Sequence, residues 1–256
     1  PGDPRSPARR PDRAAPVIPL RDANPTRRTP LVTLGLVIAC VVVFAWQLGL
    51  TASGGDAALE AFVARWGVVP ADLTSAWNHG DYLSPETATL VASQFLHGSW
   101  LHLLGNLLYL WIFGNNVEDR FGRIGFLLFY FVGGALAGLS QVAIDPSSPI
   151  PTIGASGAIA ATLGAYIVLF PRARVTSLVF LGFFYQLIDV PAVIVLGFWF
   201  VLQLIDGLTS LGITQGSGGV AFFAHIGGFV VGALVARVAV SVVGRLRRPV
   251  TRRAVG

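Results

Sequence analysis

The sequence has no lysine, no methionine and a single cysteine, and charged residues make up only 12% of its 256 residues. Soluble domains carry about 25% charged residues, so much of this surface must face something other than water. The lone cysteine, Cys40, excludes an internal disulfide and a cysteine metal cluster. Hydrophobic residues make up 54% of the chain and the mean hydropathy is +0.67. This composition predicts a protein embedded in a lipid bilayer.

Six apolar runs are candidates for membrane-spanning helices, because a span needs roughly 20 mostly apolar residues. They cover residues 31–50, 100–117, 124–143, 154–170, 190–208 and 220–243. They predict an all-α membrane protein, a bundle of six transmembrane helices with a long first extracytoplasmic loop over 51–97. In that loop, 57–69 and 90–96 are predicted as short helices at the membrane interface. Residues 175–188 are too few to span alone and are predicted as an interfacial extension before the fifth span.

Positive charge predicts the orientation of the chain. All 18 basic residues are arginines, and 12 of them lie at the two ends. With six spans, 17 of the 18 fall on the side of the termini, which the positive-inside rule assigns to the cytoplasm. Residues 1–30 are predicted as a disordered cytoplasmic tail, 31–243 as the membrane domain and 244–256 as a basic cytoplasmic tail. The concentration of arginines at ends beside apolar spans argues against nucleic-acid binding.

Ser156 is the first candidate functional residue, because a polar side chain inside a membrane helix is costly and marks a functional site by default. It stands in the run Gly-Ala-Ser-Gly, where the fourth span begins. A helix start leaves backbone N–H groups unpaired, which suits a developing oxyanion beside a nucleophilic hydroxyl. Gly154 and Gly157 would let another backbone approach closely. Taken alone, the run is also typical of small residues that pack membrane helices.

His225 favours the catalytic interpretation, because it opens the sixth span at the depth predicted for Ser156. The residues that follow it on one helix face, at 228, 232 and 236, are Gly, Gly and Ala, and those that follow Ser156, at 160 and 164, are Ala and Gly. Small residues at four-residue spacing let membrane helices pack closely. Packing along these stripes, with Gly228 at the contact, would bring Ser156 and His225 together. A neutral His within hydrogen-bond reach of a Ser is the minimum activated nucleophile.

The second span supplies further polar candidates. His102 and Asn106 are one helical turn apart and project from one face. With the backbone N–H of Ser156 they could stabilise an oxyanion. The alternative is a hydrogen-bonded clasp between helices, typically worth about 0.6 kcal/mol. His97, just before this span, is predicted to brace the loop against the bundle.

Other classes of membrane protein are disfavoured. A zinc protease would need His-Glu-x-x-His, which is absent, and the four histidines have no metal-ligand spacing, so neither a metal nor a cofactor is expected. Asp189 and Asp206 lie on the fifth span roughly 25 Å apart at helical rise, which excludes an aspartyl dyad. A transporter is disfavoured because no inverted repeat is found.

Three motifs together resemble the rhomboid intramembrane serine proteases. The first is His102-x-x-x-Asn106, continuing into an apolar span that ends in the run Val-Glu-Asp-Arg-Phe-Gly at 117–122. The second is the Gly-Ala-Ser-Gly run around Ser156. The third is His-Ile-Gly-Gly from His225, followed by a further glycine at 232. The resemblance covers about residues 30–243.

The resemblance implies a serine endopeptidase with a Ser156–His225 dyad, an oxyanion site of His102, Asn106 and the Ser156 N–H, and no acidic third member. It implies substrates that are single-span membrane proteins, admitted between spans two and five, and an active site that opens to the extracytoplasmic side. The loop after span five would cap the site. The Glu118/Arg120 pair would be structural, holding the cytoplasmic end of span two.

Two positions depart from the family pattern. Some members carry Trp-Arg in the first outer loop where this chain has Ala-Thr at 88–89. Some carry a Tyr that stacks on the histidine, where this chain has Ala160, so the partner that orients His225 is left open. The alternative within the family is a rhomboid-like protein that binds membrane clients without cutting them. The presence of both Ser156 and His225 argues against it.

Overall fold

The computed structural model describes residues 17–181, 184–210 and 220–246. Helices account for most of these residues, and three strands form one small antiparallel sheet. The helices are α1 (Leu31–Trp66), α2 (Pro70–Asn78), α3 (Pro85–Ala92), α4 (Trp100–Tyr109), α5 (Asn115–Phe121), α6 (Arg123–Ile144), α7 (Ser156–Leu169), α8 (Ala192–Ser210) and α9 (Phe222–Leu246). The strands are β1 (Val17–Asp22), β2 (Arg174–Leu181) and β3 (Phe184–Pro191).

Four of the described helices are long and apolar enough to cross a membrane, namely α1, α6, α8 and α9 as far as Val242. The helix α7 is apolar but has 14 residues. The segment from α4 to α5 is helical throughout but contains a π-helical turn at Leu110–Gly114. Large apolar side chains such as Leu128 and Leu234 are exposed, which suits surfaces that face lipid. The chain is therefore a helical, multi-pass membrane protein, as the sequence predicts, while the count of six spans stays a prediction.

The first helix extends beyond the predicted span 31–50. It breaks at Gly55, where φ is 70°, a conformation that glycine adopts without steric cost, and then continues to Trp66. This second part of α1 accounts for most of the predicted helix at 57–69. The predicted helix at 90–96 is instead divided between the end of α3 and a 3₁₀ turn at Ser93–Phe95. One face of α1 is buried, through side chains at three- and four-residue spacing: Thr33, Leu36, Cys40, Phe44 and Gln47.

The sheet corrects two predictions. Residues 175–188 were expected to extend the fifth span along the interface, but 175–181 and 184–188 form most of the antiparallel strands β2 and β3. Part of the tail predicted to be disordered is ordered as β1, which pairs antiparallel with β2. The physical reason is that β-branched and aromatic residues favour strands, and a short apolar run does not distinguish strand from helix. Residues 1–16 and 247–256 of the two predicted tails, and 211–219 of the predicted capping loop, lie outside the described residues.

The strand β1 ends in contact with the helices. Asp22 Oδ2 accepts hydrogen bonds from Asn116 Nδ2 at 2.6 Å and from the Tyr166 hydroxyl at 2.8 Å. Asn24 Nδ2 donates to the same Tyr166 oxygen at 2.8 Å. Burial raises the pKa of the Asp22 carboxyl, while hydrogen bonds from Tyr166 and Asn24 act in the opposite direction. The end of the tail strand is thereby fixed to α5 and to the last turns of α7.

The helices α7 and α9 pack closely along the small-residue stripes predicted from the sequence. A methyl group added at Gly232 would overlap the carbonyl of Ala161, and one at Gly164 would overlap the carbonyl of Phe229. At Gly228 it would overlap the carbonyl of Gly157. Any larger residue at these positions would push the helices apart, so the glycines set their separation.

Glu118 caps the first helix from a distance in the chain. Its carboxylate accepts from the backbone N–H of Val32 at 3.1 Å and of Thr33 at 2.8 Å, and from the Thr33 hydroxyl at 2.8 Å. The first N–H groups of a helix have no partner within it, so this contact satisfies two of them. Arg120, predicted to act with Glu118, is exposed. Glu118 therefore has its structural contact with α1.

Replacing Glu118 by Ala leaves buried N–H groups of α1 without an acceptor. We expect Glu118→Ala to lower the free energy of unfolding by about 1–3 kcal/mol. The thermal unfolding midpoint in detergent measures the change, with the exposed Arg120→Ala as the matched control. Equal midpoints for the two variants would contradict the capping role.

Candidate active site

Ser156 is the first residue of α7, and the turn before it is tied to two other segments. The backbone N–H of Gly154 donates to the carbonyl of Ser93 at 2.9 Å. Two residues earlier, Thr152 and Val68 exchange backbone hydrogen bonds of 2.8 and 3.0 Å. Since the first N–H groups of a helix have no intrahelical acceptor, the Ser156 N–H is free to point at a ligand beside its own hydroxyl.

His225 lies in the first turn of α9, and its Nε2 is 2.7 Å from Ser156 Oγ. The two residues are 69 positions apart in the sequence. The His225 side chain is 8% exposed, so little solvent competes for this hydrogen bond. The close packing of α7 on α9 thus brings the predicted nucleophile and the predicted base into direct contact.

The other side of the His225 ring is held by α8. His225 Nδ1 lies 2.5 Å from Gln203 Oε1, and the Trp199 ring centroid lies 5.8 Å from that of the imidazole at an interplanar angle of 38°. Sequence reasoning missed both residues. The sequence did contain a signal for Gln203, because it is an uncharged polar residue within the apolar run 190–208. A polar residue in a membrane helix marks a functional site by default.

His102 and Asn106 on α4 lie next to the turn before Ser156. A Cβ at Gly154 would be 2.7 Å from His102 Nε2 and 3.7 Å from Asn106 Nδ2. Asn106 is 8% exposed, and its Nδ2 is buried without a hydrogen-bond partner among the described residues. A buried donor without an acceptor costs free energy, so this amide is available for a ligand oxygen.

These side chains share one cavity of about 1370 Å³. Its lining includes Ser156, His225, His102 and Asn106, together with Gln141 from the end of α6. The volume exceeds that of sites for small ligands, which are about 300–1,000 Å³. The space is therefore sufficient for an extended stretch of polypeptide beside the serine.

His97 is held firmly beside the site. Its backbone N–H donates to Gln47 Oε1 at 3.0 Å, and Gln47 Nε2 donates to its carbonyl at 3.2 Å. Its Nδ1 donates to the Phe95 carbonyl at 3.1 Å, and its ring lies 5.1 Å from the His102 ring. Burial, and then the nearby His102, lower the pKa of His97 to about 4, so the ring is neutral at neutral pH. These contacts connect α1 to the start of α4.

The glycines around Ser156 allow three helices to meet. A Cβ at Gly157 would lie 2.8 Å from Ala137 Cβ of α6, and one at Gly228 would lie 3.2 Å from the same atom and from Ala160 Cβ.

Among the residues described, no group of three His, Cys, Asp or Glu side chains is arranged to hold a metal ion. The chemistry available here is that of a hydroxyl, an imidazole and hydrogen-bond donors.

A sequence profile of the Rhomboid domain matches residues 84–242, which is more than half of the chain. The chain belongs to the rhomboid family. The matched region includes all the side chains that line the site from α4, α7, α8 and α9.

Several curated rhomboid proteins are similar to this chain. The mitochondrial Rhomboid protein 1 of Saccharomyces cerevisiae is 29% identical over 163 residues, which cover 60% of this chain and 42% of the yeast protein. The mitochondrial RHOMBOID-like protein 12 of Arabidopsis thaliana is 33% identical over 172 residues, covering 60% of this chain and 47% of that relative. Rhomboid protease GluP of Bacillus subtilis is 36% identical over 123 residues, covering 48% of this chain and 23% of its own length. The chain thus matches less than half the length of these relatives.

The turn before Ser156 generates a prediction. Gly154 has φ +122°, which side-chain-bearing residues rarely adopt, and a Cβ there would displace His102. We expect Gly154→Ala to destabilise the protein by about 1–3 kcal/mol, measured as a fall in the thermal unfolding midpoint. The control is Gly98→Ala in the same region, where an added Cβ would lie 3.9 Å from its nearest neighbour, Ile153 Cδ1. A midpoint for Gly154→Ala equal to that of the control would show that the turn tolerates a side chain.

Proposed function

We propose that this rhomboid family member is an intramembrane serine endopeptidase that cuts peptide bonds in or near transmembrane segments of single-span membrane proteins. The observation that carries the proposal is the 2.7 Å contact between Ser156 Oγ and His225 Nε2 in a large cavity. The same cavity contains the Asn106 amide, which has no hydrogen-bond partner in the part of the chain that the structure describes. The similarity to Rhomboid protease GluP supports the proposal.

The proposed reaction is acyl transfer through an ester. Ser156 Oγ attacks the scissile carbonyl while His225 Nε2 takes the hydroxyl proton, and the C–N bond then breaks as His225 returns that proton to the leaving amine. Water next attacks the ester, giving its proton to His225, and the ester C–O bond breaks as Ser156 regains a proton. No metal or cofactor is needed for these steps.

The oxyanion formed in each half of the reaction needs hydrogen-bond donors. We assign this role to the Ser156 N–H, Asn106 Nδ2 and the His102 ring, because all lie around the turn at Gly154. A donor that has no partner in the resting protein can bind the developing charge without first breaking another bond. His97, Gly154, Gly157 and Gly228 would support this geometry.

The orientation in the membrane is part of the proposal. The distribution of arginines supports termini in the cytoplasm and an active site that opens to the extracytoplasmic side. Glu118 and Arg120 would then lie at the cytoplasmic end of the second span.

Removing the nucleophile should abolish the reaction. We expect the parent protein in liposomes to cleave a reporter with one transmembrane segment and to react with a fluorophosphonate probe, whereas Ser156→Ala does neither. Ser53→Ala, an exposed serine on α1, is the matched control and should behave as the parent. Turnover by Ser156→Ala equal to that of the parent would reject the nucleophile. A parent that binds the reporter but neither cuts it nor reacts with the probe would favour a client-binding protein instead.

The oxyanion assignment has its own test. Asn106→Ala should lower kcat about 10²–10³-fold with little change in KM, because the lost hydrogen bond forms only with the transition state. The measurement is steady-state cleavage of the same reporter. A change in KM alone would assign Asn106 to substrate binding.

A further inference from the structure

We propose that Gln203 is a positioning residue that fixes the tautomer and the orientation of His225, and that α8 is therefore part of the catalytic apparatus. This inference rests on the proposed function. The sequence leaves open what orients His225, since Ala160, one turn after Ser156, has neither a ring nor a polar side-chain atom.

The argument begins with the two ring nitrogens. In a neutral imidazole one nitrogen donates a hydrogen bond and the other accepts one. Gln203 Oε1 can only accept, so at 2.5 Å it requires the proton of His225 to be on Nδ1. The lone pair is then on Nε2, which faces Ser156 Oγ at 2.7 Å. This is the tautomer in which His225 can take the serine proton.

The ring plane is restrained from the same helix. Trp199 precedes Gln203 by four residues, so both side chains project from one face of α8 towards α9. The indole lies 5.8 Å from the imidazole, centroid to centroid, and leaves one edge of the ring to Gln203. Trp199 thus restrains the plane of the His225 ring, and the hydrogen bonds with Gln203 and Ser156 restrain its rotation.

Among the described residues, no neighbour of His225 other than Gln203 is a hydrogen-bond partner for Nδ1. The other titratable side chains that line the cavity from described residues are His102 and Tyr109 on α4, and Asp145 after α6. Among the described residues, the recorded hydrogen-bond partners of the ring are Gln203 and Ser156. His225 can therefore act as a base while α8 lies against α9, and a displacement of α8 would break its hydrogen bond with Gln203.

Substitutions at 203 separate positioning from packing. We expect Gln203→Met, which keeps the length of the side chain but removes the acceptor, to lower kcat about 10- to 100-fold with little change in KM. Gln203→Glu keeps the acceptor and should retain activity within about tenfold of the parent, with the acid limb of its pH–rate profile moved up by about one unit, since a carboxylate stabilises the imidazolium. The control is Ile205→Met, because Ile205 on the same helix is 51% exposed and points away from the site.

A role of Gln203 in packing alone would give a different result and overturn the proposal. If Gln203 only packs, Gln203→Met and Gln203→Glu lower the thermal unfolding midpoint by similar amounts, and the pH–rate profile of the Glu variant superimposes on that of the parent. Parent-like kcat for Gln203→Met would also overturn it, while leaving the Ser156–His225 dyad intact.

A second measurement does not depend on turnover. With four histidines in the chain, the ¹⁵N spectrum of histidine-labelled protein reports each tautomer, and the spectrum of His225→Gln assigns the His225 signals. We expect the proton on Nδ1 in the parent and a shift towards Nε2 in Gln203→Met. A proton on Nε2 in the parent would reject the positioning contact. An Nδ1 proton in a parent that neither cleaves nor reacts with the probe would support the contact and reject the proposed function.

Discussion

The close contact of α7 with α9 is the constraint on which the rest of the structure depends. In lipid, apolar side chains gain little by leaving the bilayer for the protein interior, so tight packing has to hold the helices together. Gly164 and Gly232 bring the two backbones so near that a methyl group on either would overlap a carbonyl of the other helix. At this separation, side chains at the same end of both helices are within hydrogen-bond reach, and Ser156 and His225 occupy that end.

Three polar groups of the site lie near helix starts, whereas Asn106 and Gln203 lie within α4 and α8. Ser156 is the first residue of α7, and His225 and His102 lie in the first turns of α9 and α4. A helix start presents free N–H groups, and its depth in the bilayer is small enough for water to reach it. The same location would meet both requirements of the proposed hydrolysis, namely oxyanion donors and a supply of water.

The helix α7, which begins at Ser156, is fixed at both ends. At its start, Gly154 is bonded to the Ser93 carbonyl, and near its other end Tyr166 donates to Asp22 of the tail strand. Because α7 also packs against α6 and α9, its position along the bundle is strongly determined. The tail strand and the β2–β3 pair therefore contribute to the site from the opposite side of the protein.

The sequence by itself determined the features that depend on local or periodic patterns. The apolar runs predicted the helices, the four-residue spacing of Gly and Ala predicted the α7–α9 contact, and the costly polar residues in apolar runs identified His102, Asn106, Ser156 and His225. The β2–β3 pair was missed because a short apolar run does not distinguish strand from helix, and the pairing of β2 with β1, over 150 residues away, is not encoded in any local pattern.

Only the tertiary structure decided which polar groups meet. Glu118 accepts from Thr33, 85 residues away, whereas the family resemblance implied a structural pair with Arg120. Gln203 is one polar residue in an apolar run, and only the placement of α8 against α9 brings its oxygen to Nδ1 of His225. Hydrogen bonds act over about 3 Å, and such distances follow from helix packing, which a pattern of residue types does not specify.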